Sequence, residues 1–122
     1  MSEEGLFDSL KKIVGQDFAS RREFDLYTYS RDPGASLPRP VDFVVMPKTV
    51  KEVQGIVRLA NEEKIPIVPM GGGLTLSGLV IPVNGGIVMD LKRMDEIIEI
   101  NETSRYALIE AGVTAGQLLG YL

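Results

Sequence analysis

The segment Pro69-Met-Gly-Gly-Gly-Leu-Thr-Leu-Ser-Gly78 gathers most of the groups in this chain that can do chemistry. Gly71, Gly72 and Gly73 admit positive φ and place no side chain between the backbone and a ligand. Successive amides in such a run can converge on one point as an anion nest. Thr75 and Ser77 add hydroxyl donors. No Asp or Glu lies between Glu63 and Asp90, so nothing nearby in the sequence repels a phosphate. Each charge-assisted hydrogen bond to a phosphate oxygen contributes about 1.5–3 kcal/mol.

Two commoner phosphate loops are excluded by the spacing. A P-loop needs Lys after the second glycine, and Leu79 follows Gly78. The Rossmann fingerprint on Gly71 and Gly73 needs a third glycine where Leu76 stands. A nest without a cation suits a diphosphate that bridges two organic groups, as in an adenine dinucleotide, better than a triphosphate. A tight glycine turn with no ligand is the competing reading, and composition alone leaves both open.

The rest of the chain limits the chemistry further. Its 122 residues contain no Cys and no His. That removes disulfides, a thiolate nucleophile, an imidazole base and zinc sites of the Cys/His type, and no metal site is expected. Thirteen Lys and Arg against seventeen Asp and Glu give a net charge of −4, the wrong sign for a nucleic-acid or anionic-membrane surface. With 44% hydrophobic and 25% charged residues the chain has the make-up of one globular domain or part of one. Residues 65–89 carry no charge, but Pro66, Pro69, Pro82 and six glycines exclude a membrane helix there. Met1-Ser-Glu-Glu has neither the basic start nor the apolar block of a signal peptide, so a cytoplasmic location is expected.

The elements that must position the loop follow from periodicity. Ser2 caps a first helix whose Leu6, Phe7, Leu10, Ile13 and Val14 share one face, with Gly15 after its end. Residues 16–40 read as an extended arm with a turn at Asp32-Pro33-Gly34. Residues 41–46 read as a buried strand. Thr49-Val-Lys-Glu52 is a capping box opening a helix that carries Val53, Ile56, Val57 and Ala60. Gly55 inside it points to close helix packing. A second strand at residues 65–68 completes a βαβ unit with parallel strands. A third strand is expected at residues 86–91, a hairpin at 97–100 and 106–110, and a last helix behind Thr114 with Leu118, Leu119 and Leu122. The fold class is therefore α+β with α/β character: a βαβ unit plus further strands in a mixed sheet with flanking helices. Residues 1–40 form the N-terminal helix and arm, and residues 41–122 the domain proper.

Several of these pieces, in order, resemble the FAD-linked oxidases of the vanillyl-alcohol oxidase and p-cresol methylhydroxylase superfamily. The nearest branch is the glycolate oxidase subunit and D-lactate dehydrogenase group. The matching residues are Tyr29-Ser-Arg-Asp32, Pro40-Val-Asp-Phe-Val-Val-Met-Pro47, Thr49-Val-Lys-Glu-Val53, Ala60-Asn-Glu-Glu63, Ile65-Pro-Ile-Val-Pro69, Gly71-Gly-Gly-Leu-Thr-Leu-Ser-Gly78, Gly86-Ile-Val-Met-Asp-Leu91 with Arg93-Met94, and Glu110-Ala-Gly-Val113.

The resemblance implies the first subdomain of a p-cresol methylhydroxylase-type FAD-binding fold, with FAD as a non-covalent cofactor. No Cys or His is present for a covalent link. By position Gly71, Gly72, Gly73, Thr75, Ser77 and Gly78 hold the FAD diphosphate, Leu74 and Leu76 add amides and packing, and Pro47 and Gly112 meet the adenosine half. Met70 stands where the family commonly has Arg, and Leu74 where it commonly has Thr; both changes imply weaker cofactor binding.

The family's second flavin-contacting subdomain and its substrate domain have no counterpart in the chain, and no residue is assigned as catalytic. Tyr29 and Asp32 are given packing and turn roles. The chain is then expected to be the FAD-binding portion of a 2-hydroxyacid oxidoreductase that does not turn over alone. Its expected partners are FAD and either the missing C-terminal part or a second copy. The alternative is a non-catalytic, self-associating module with the same fold. The related reductase of cell-wall precursor synthesis is disfavoured, because its loop usually reads Gly-x-Gly-Ser-Asn and no Asn lies between Met70 and Leu79.

Overall fold

The computed structural model describes residues 1–122. Helix α1 (Glu3–Val14) begins at Ser2, whose hydroxyl accepts the Gly5 amide at 3.1 Å, and ends at Gly15 with φ 96°. Glu3 and Glu4 lie in its first turn and Lys11 and Lys12 in its last, which complements the helix dipole. Leu6, Leu10 and Val14 are buried.

The arm departs from the extended path expected of residues 16–40. A 3-10 turn (Gln16–Phe18) leads into β1 (Ala19–Ser20), and Glu23–Thr28 form a helix, α2. Strand β1 has two residues, too few for alternation to show, and the N-cap of α2 is Arg22 with no side-chain capping bond. Neither element leaves a local signal in the sequence.

Strand β2 (Phe43–Val45) is followed by α3 (Val50–Glu63), β3 (Ile67–Met70) and β4 (Ile87–Asp90). The capping box at Thr49 and Glu52 forms in full, and Lys64 closes α3 in the left-handed region at φ 57°. A Cβ on Gly55 would lie 3.2 Å from Ile13 Cγ2, so this glycine lets α3 approach α1 closely.

The sheet order is β1-β2-β4-β3, with β1 antiparallel to β2 and the other three strands parallel. The βαβ crossover therefore spans one strand: β4 slots between β2 and β3 and is buried along its length. Side chains alternate across the pleat. Phe43, Val45, Ile87 and Met89 pack with Leu10, Ile56 and Ala60 in the main core under α1 and α3. Val44 and Val88 face the other way, with Val41 and half-buried Leu26, Tyr29 and Val68. The N-terminal helix thus shares its core with the strands.

The hairpin β5 (Ile97–Asn101) and β6 (Tyr106–Ile109) forms a sheet of its own rather than extending the mixed sheet. Helix α4 (Ala115–Tyr121) follows, with a complete capping box at Thr114 and Gln117. The uncharged stretch at residues 65–89 is strand, loop and strand, and no helix is long and apolar enough to cross a membrane.

One polar tie joins the arm to the centre of the sheet. Asp90, 1% exposed at the end of β4, accepts the Tyr29 hydroxyl at 2.5 Å and the Lys92 amide at 3.0 Å. The Lys92 ammonium stands 3.4 Å from the same carboxylate. Burial, and then the bond to Asp90, push the Tyr29 phenol well above its ordinary 10.0. A folded-state value raised above the unfolded one means the tie stabilises fully below about pH 10 and weakens as pH rises toward the folded value. Tyr29→Phe leaves a buried carboxylate short of a donor and is expected to cost about 1–3 kcal/mol at neutral pH. Denaturant titration from pH 7 to 11 checks this, and the deficit should shrink at the alkaline end.

Candidate functional site

Parallel strands share an orientation, so β2, β4 and β3 end on one edge of the sheet. Ligands bind α/β sheets at that edge. Residues 71–78 leave it directly after Met70, the last paired residue of β3.

The decisive feature of this loop is its backbone. From Gly71 to Ser77 no amide N–H donates to any group of the chain, and the Gly78 amide donates to Asp32. Gly73 and Gly78 take φ of 71° and 76°, the conformation that glycine adopts without strain. Nothing lies within 4 Å of a Cβ built on Gly72, so the space over that residue is open. Leu74 and Leu76 are 82% and 70% exposed. A run of unpaired amides beside open space is a donor set that fits phosphate oxygens.

The structure brings one unexpected group to the loop. Asp32 comes in from the arm and accepts the Gly78 amide at 2.8 Å and the Thr75 hydroxyl at 3.4 Å. The neighbourhood is therefore not free of carboxylates, contrary to the local sequence, because the approaching carboxylate is 46 residues away along the chain. Asp32 also accepts the Gly34 amide at 2.8 Å, which is its expected turn role. Of the predicted site residues, Thr75 and Gly78 thus have donors engaged by Asp32, while the amides of Gly71, Gly72, Gly73, Leu74, Leu76 and Ser77 remain free.

The two outlying site residues occupy different settings. Pro47 follows β2 at the same edge, but its ring is fully buried. Gly112 is pinned by the backbone: its amide bonds to the Met94 carbonyl at 2.8 Å, and a Cβ there would meet the Leu91 carbonyl oxygen at 2.2 Å. The neighbouring Ala111 carbonyl lies 3.3 Å from a Cβ built on Gly71, so the segment after β6 borders the start of the loop. Met70 packs beneath the loop, its sulfur 3.0 Å from a Cβ built on Gly73.

Sequence reasoning missed Asp90 and Lys92 as edge residues. The one available signal was a carboxylate closing the apolar run Ile87-Val-Met-Asp90. Arg93 is structural: it donates to the Met46 carbonyl at 2.6 Å, and its guanidinium lies 3.4 Å from the Phe18 ring centroid. No group of three or more carboxylates converges as a metal site.

Comparison with known proteins agrees with this geometry. The family described as FAD binding domain matches residues 41–122. D-2-hydroxyglutarate dehydrogenase of Stutzerimonas stutzeri is 34% identical over 118 residues, covering 97% of this chain and 25% of its own length. D-lactate dehydrogenase of Archaeoglobus fulgidus is 38% identical over 113 residues, covering 91% of this chain and 24% of its own. The solved structure of p-cresol methylhydroxylase with substrate bound superposes with a TM-score of 0.87 at 32% identity, over 97% of this chain and 24% of that one. The chain spans about a quarter of the length of the curated relatives it matches. By sequence and by fold it belongs to the FAD binding domain family, and its cofactor is FAD.

Proposed function

We propose that this chain is the FAD-binding portion of a flavin-dependent dehydrogenase or oxidase of 2-hydroxyacids of the D-lactate, D-2-hydroxyglutarate or glycolate kind. The observation that carries the reading is the row of unpartnered amides at residues 71–77, at the strand edge where a diphosphate docks. The names of the relatives, a D-2-hydroxyglutarate dehydrogenase and a D-lactate dehydrogenase, support the substrate class.

In this proposal the backbone of residues 71–77 grips the FAD diphosphate, with the Ser77 hydroxyl as an added donor. Thr75 and Gly78 shape the loop's far end, and Pro47 and Gly112 are wall residues near the adenosine. Bound FAD supplies a two-electron acceptor. The chain's own part is to bind and orient; the base and the substrate pocket belong to the remainder of the protein, as does a second flavin-contacting subdomain. Residues 1–40 and 41–122 serve as an anchoring arm and a first FAD-binding subdomain. The proposal places the protein in the cytoplasm.

A second reading, a self-associating module, is favoured by one observation. Leu119, Tyr121 and Leu122 of the α4 region are exposed, as are Tyr106 and Leu108 of β6. Of these, Tyr106 and Leu122 line one shallow cavity with Ile100 and Leu118, and an exposed apolar surface of that kind suits an interaction. Light scattering of the 122-residue chain decides it: concentration-dependent dimers support the reading, and a clean monomer rejects it.

Gly72→Val tests the binding site. With nothing near its Cβ, the change should leave stability within about 0.5 kcal/mol. Loss of one or two phosphate bonds should weaken FAD binding about tenfold or more, read by flavin fluorescence titration. For the substrate class, the full-length flavoprotein should reduce an artificial electron acceptor with D-lactate, D-2-hydroxyglutarate or glycolate. Turnover only with 4-alkylphenols would overturn that assignment.

A further inference from the structure

The structure assigns Asp32 as the residue that positions the FAD loop, a role that rests on reading residues 71–78 as the diphosphate site. One carboxylate oxygen accepts the Gly34 amide at 2.8 Å and turns the arm back on itself. The other accepts the Gly78 amide at 2.8 Å, with the Thr75 hydroxyl 3.4 Å away. The loop is thereby fixed at both ends. At its start the Leu91 amide holds the Met70 carbonyl at 2.9 Å, and at its finish Asp32 holds Gly78. The free amides lie between these two anchors.

The fit of arm to loop is tight. A Cβ on Gly34 would stand 2.2 Å from the Leu76 carbonyl oxygen, and one on Gly78 would stand 2.7 Å from Ser36 Oγ. Residues 32–36 therefore lie directly on residues 75–78. The arm is itself secured, by Tyr29 on Asp90 at 2.5 Å and by the Arg39 amide on the Ser30 carbonyl at 3.0 Å.

A carboxylate beside a diphosphate site has two opposite effects. Its charge repels the ligand, and its hydrogen bonds order the loop. The contacts decide the sign. Both oxygens of Asp32 are taken up by donors of the arm and of the loop's far end, whose dipoles partly screen its charge where it sits. A glycine-rich loop otherwise loses more freedom on binding than any other segment of its length. Ordering it beforehand removes that cost from the binding step. Asp32 therefore raises FAD affinity although it shares the ligand's charge.

The test uses the full-length protein stripped of flavin. Asp32→Asn and Asp32→Ala should bind FAD about tenfold more weakly or worse, with Ala the weaker of the two. Hydrogen exchange at the Gly78 and Gly34 amides, the two that Asp32 accepts, should speed up while exchange in α3 stays as in the parent, a pattern that general destabilisation would not produce. If these variants fail to fold, Asp32→Glu decides: it keeps the charge but carries the carboxylate one methylene past the Gly78 amide, and should show the same loss. Variants that bind FAD as tightly as the parent, or more tightly, overturn the role of Asp32. A parent that takes up no FAD would remove the diphosphate reading, and the role of Asp32 with it.

Discussion

Seven consecutive peptide N–H groups, at residues 71–77, are left without an acceptor in the chain. Backbone donors rarely stay unpaired in a folded protein unless water or a ligand satisfies them. Here the cause is topological. Strand β3 stops pairing at Met70, and the chain must cross to the far end of the sheet to begin β4 in parallel. A helix would be the usual crossover and would satisfy its own amides. Three glycines at the start, and Pro82 before β4, replace that helix with a loop. The donors stay unpaired because no regular element forms to use them.

The placement of β4 gives the edge its shape. Because β4 lies between β2 and β3, the centre of the sheet ends in Asp90, flanked by the exits toward Pro47 on one side and Gly71 on the other. A buried carboxylate at that point is destabilising unless donors meet it. Tyr29, the Lys92 amide and the Lys92 ammonium do so. The arm that supplies Tyr29 then continues three residues to Asp32 and reaches the loop. Satisfying one buried charge thus delivers the second contact, so the spacing in Tyr29-Ser-Arg-Asp32 links core stability to loop order.

Much of this was readable in the residues. Helices α1, α3 and α4 announced themselves by caps and apolar stripes, and the glycine loop by its composition and its place behind a strand. Helix α2 and strand β1 were not readable, since one lacks a cap and the other is held only by its pairing to β2. The insertion of β4 between β2 and β3 was also hidden, because periodicity reports burial and not neighbours. Asp32 shows the same limit at the site. A turn residue by local sequence, it is also a loop anchor through contacts 43 and 46 residues away, which local pattern cannot encode. The absence of carboxylates around the loop was true of the sequence and untrue of the space around it.

The glycines separate what the fold requires from what the ligand requires. Gly34, Gly86 and Gly112 each face a carbonyl oxygen 2.2 Å from where a Cβ would stand, so the chain's own backbone forbids a side chain there. Gly72 has nothing within 4 Å. Packing gives no reason for a bare backbone at that position, and glycine there carries an entropic cost in the folded state. That cost is offset only if something outside the chain must approach the peptide. In a loop whose amides are unpaired and whose far end is held by Asp32, the group that fits is an anion, and the proposed one is the FAD diphosphate.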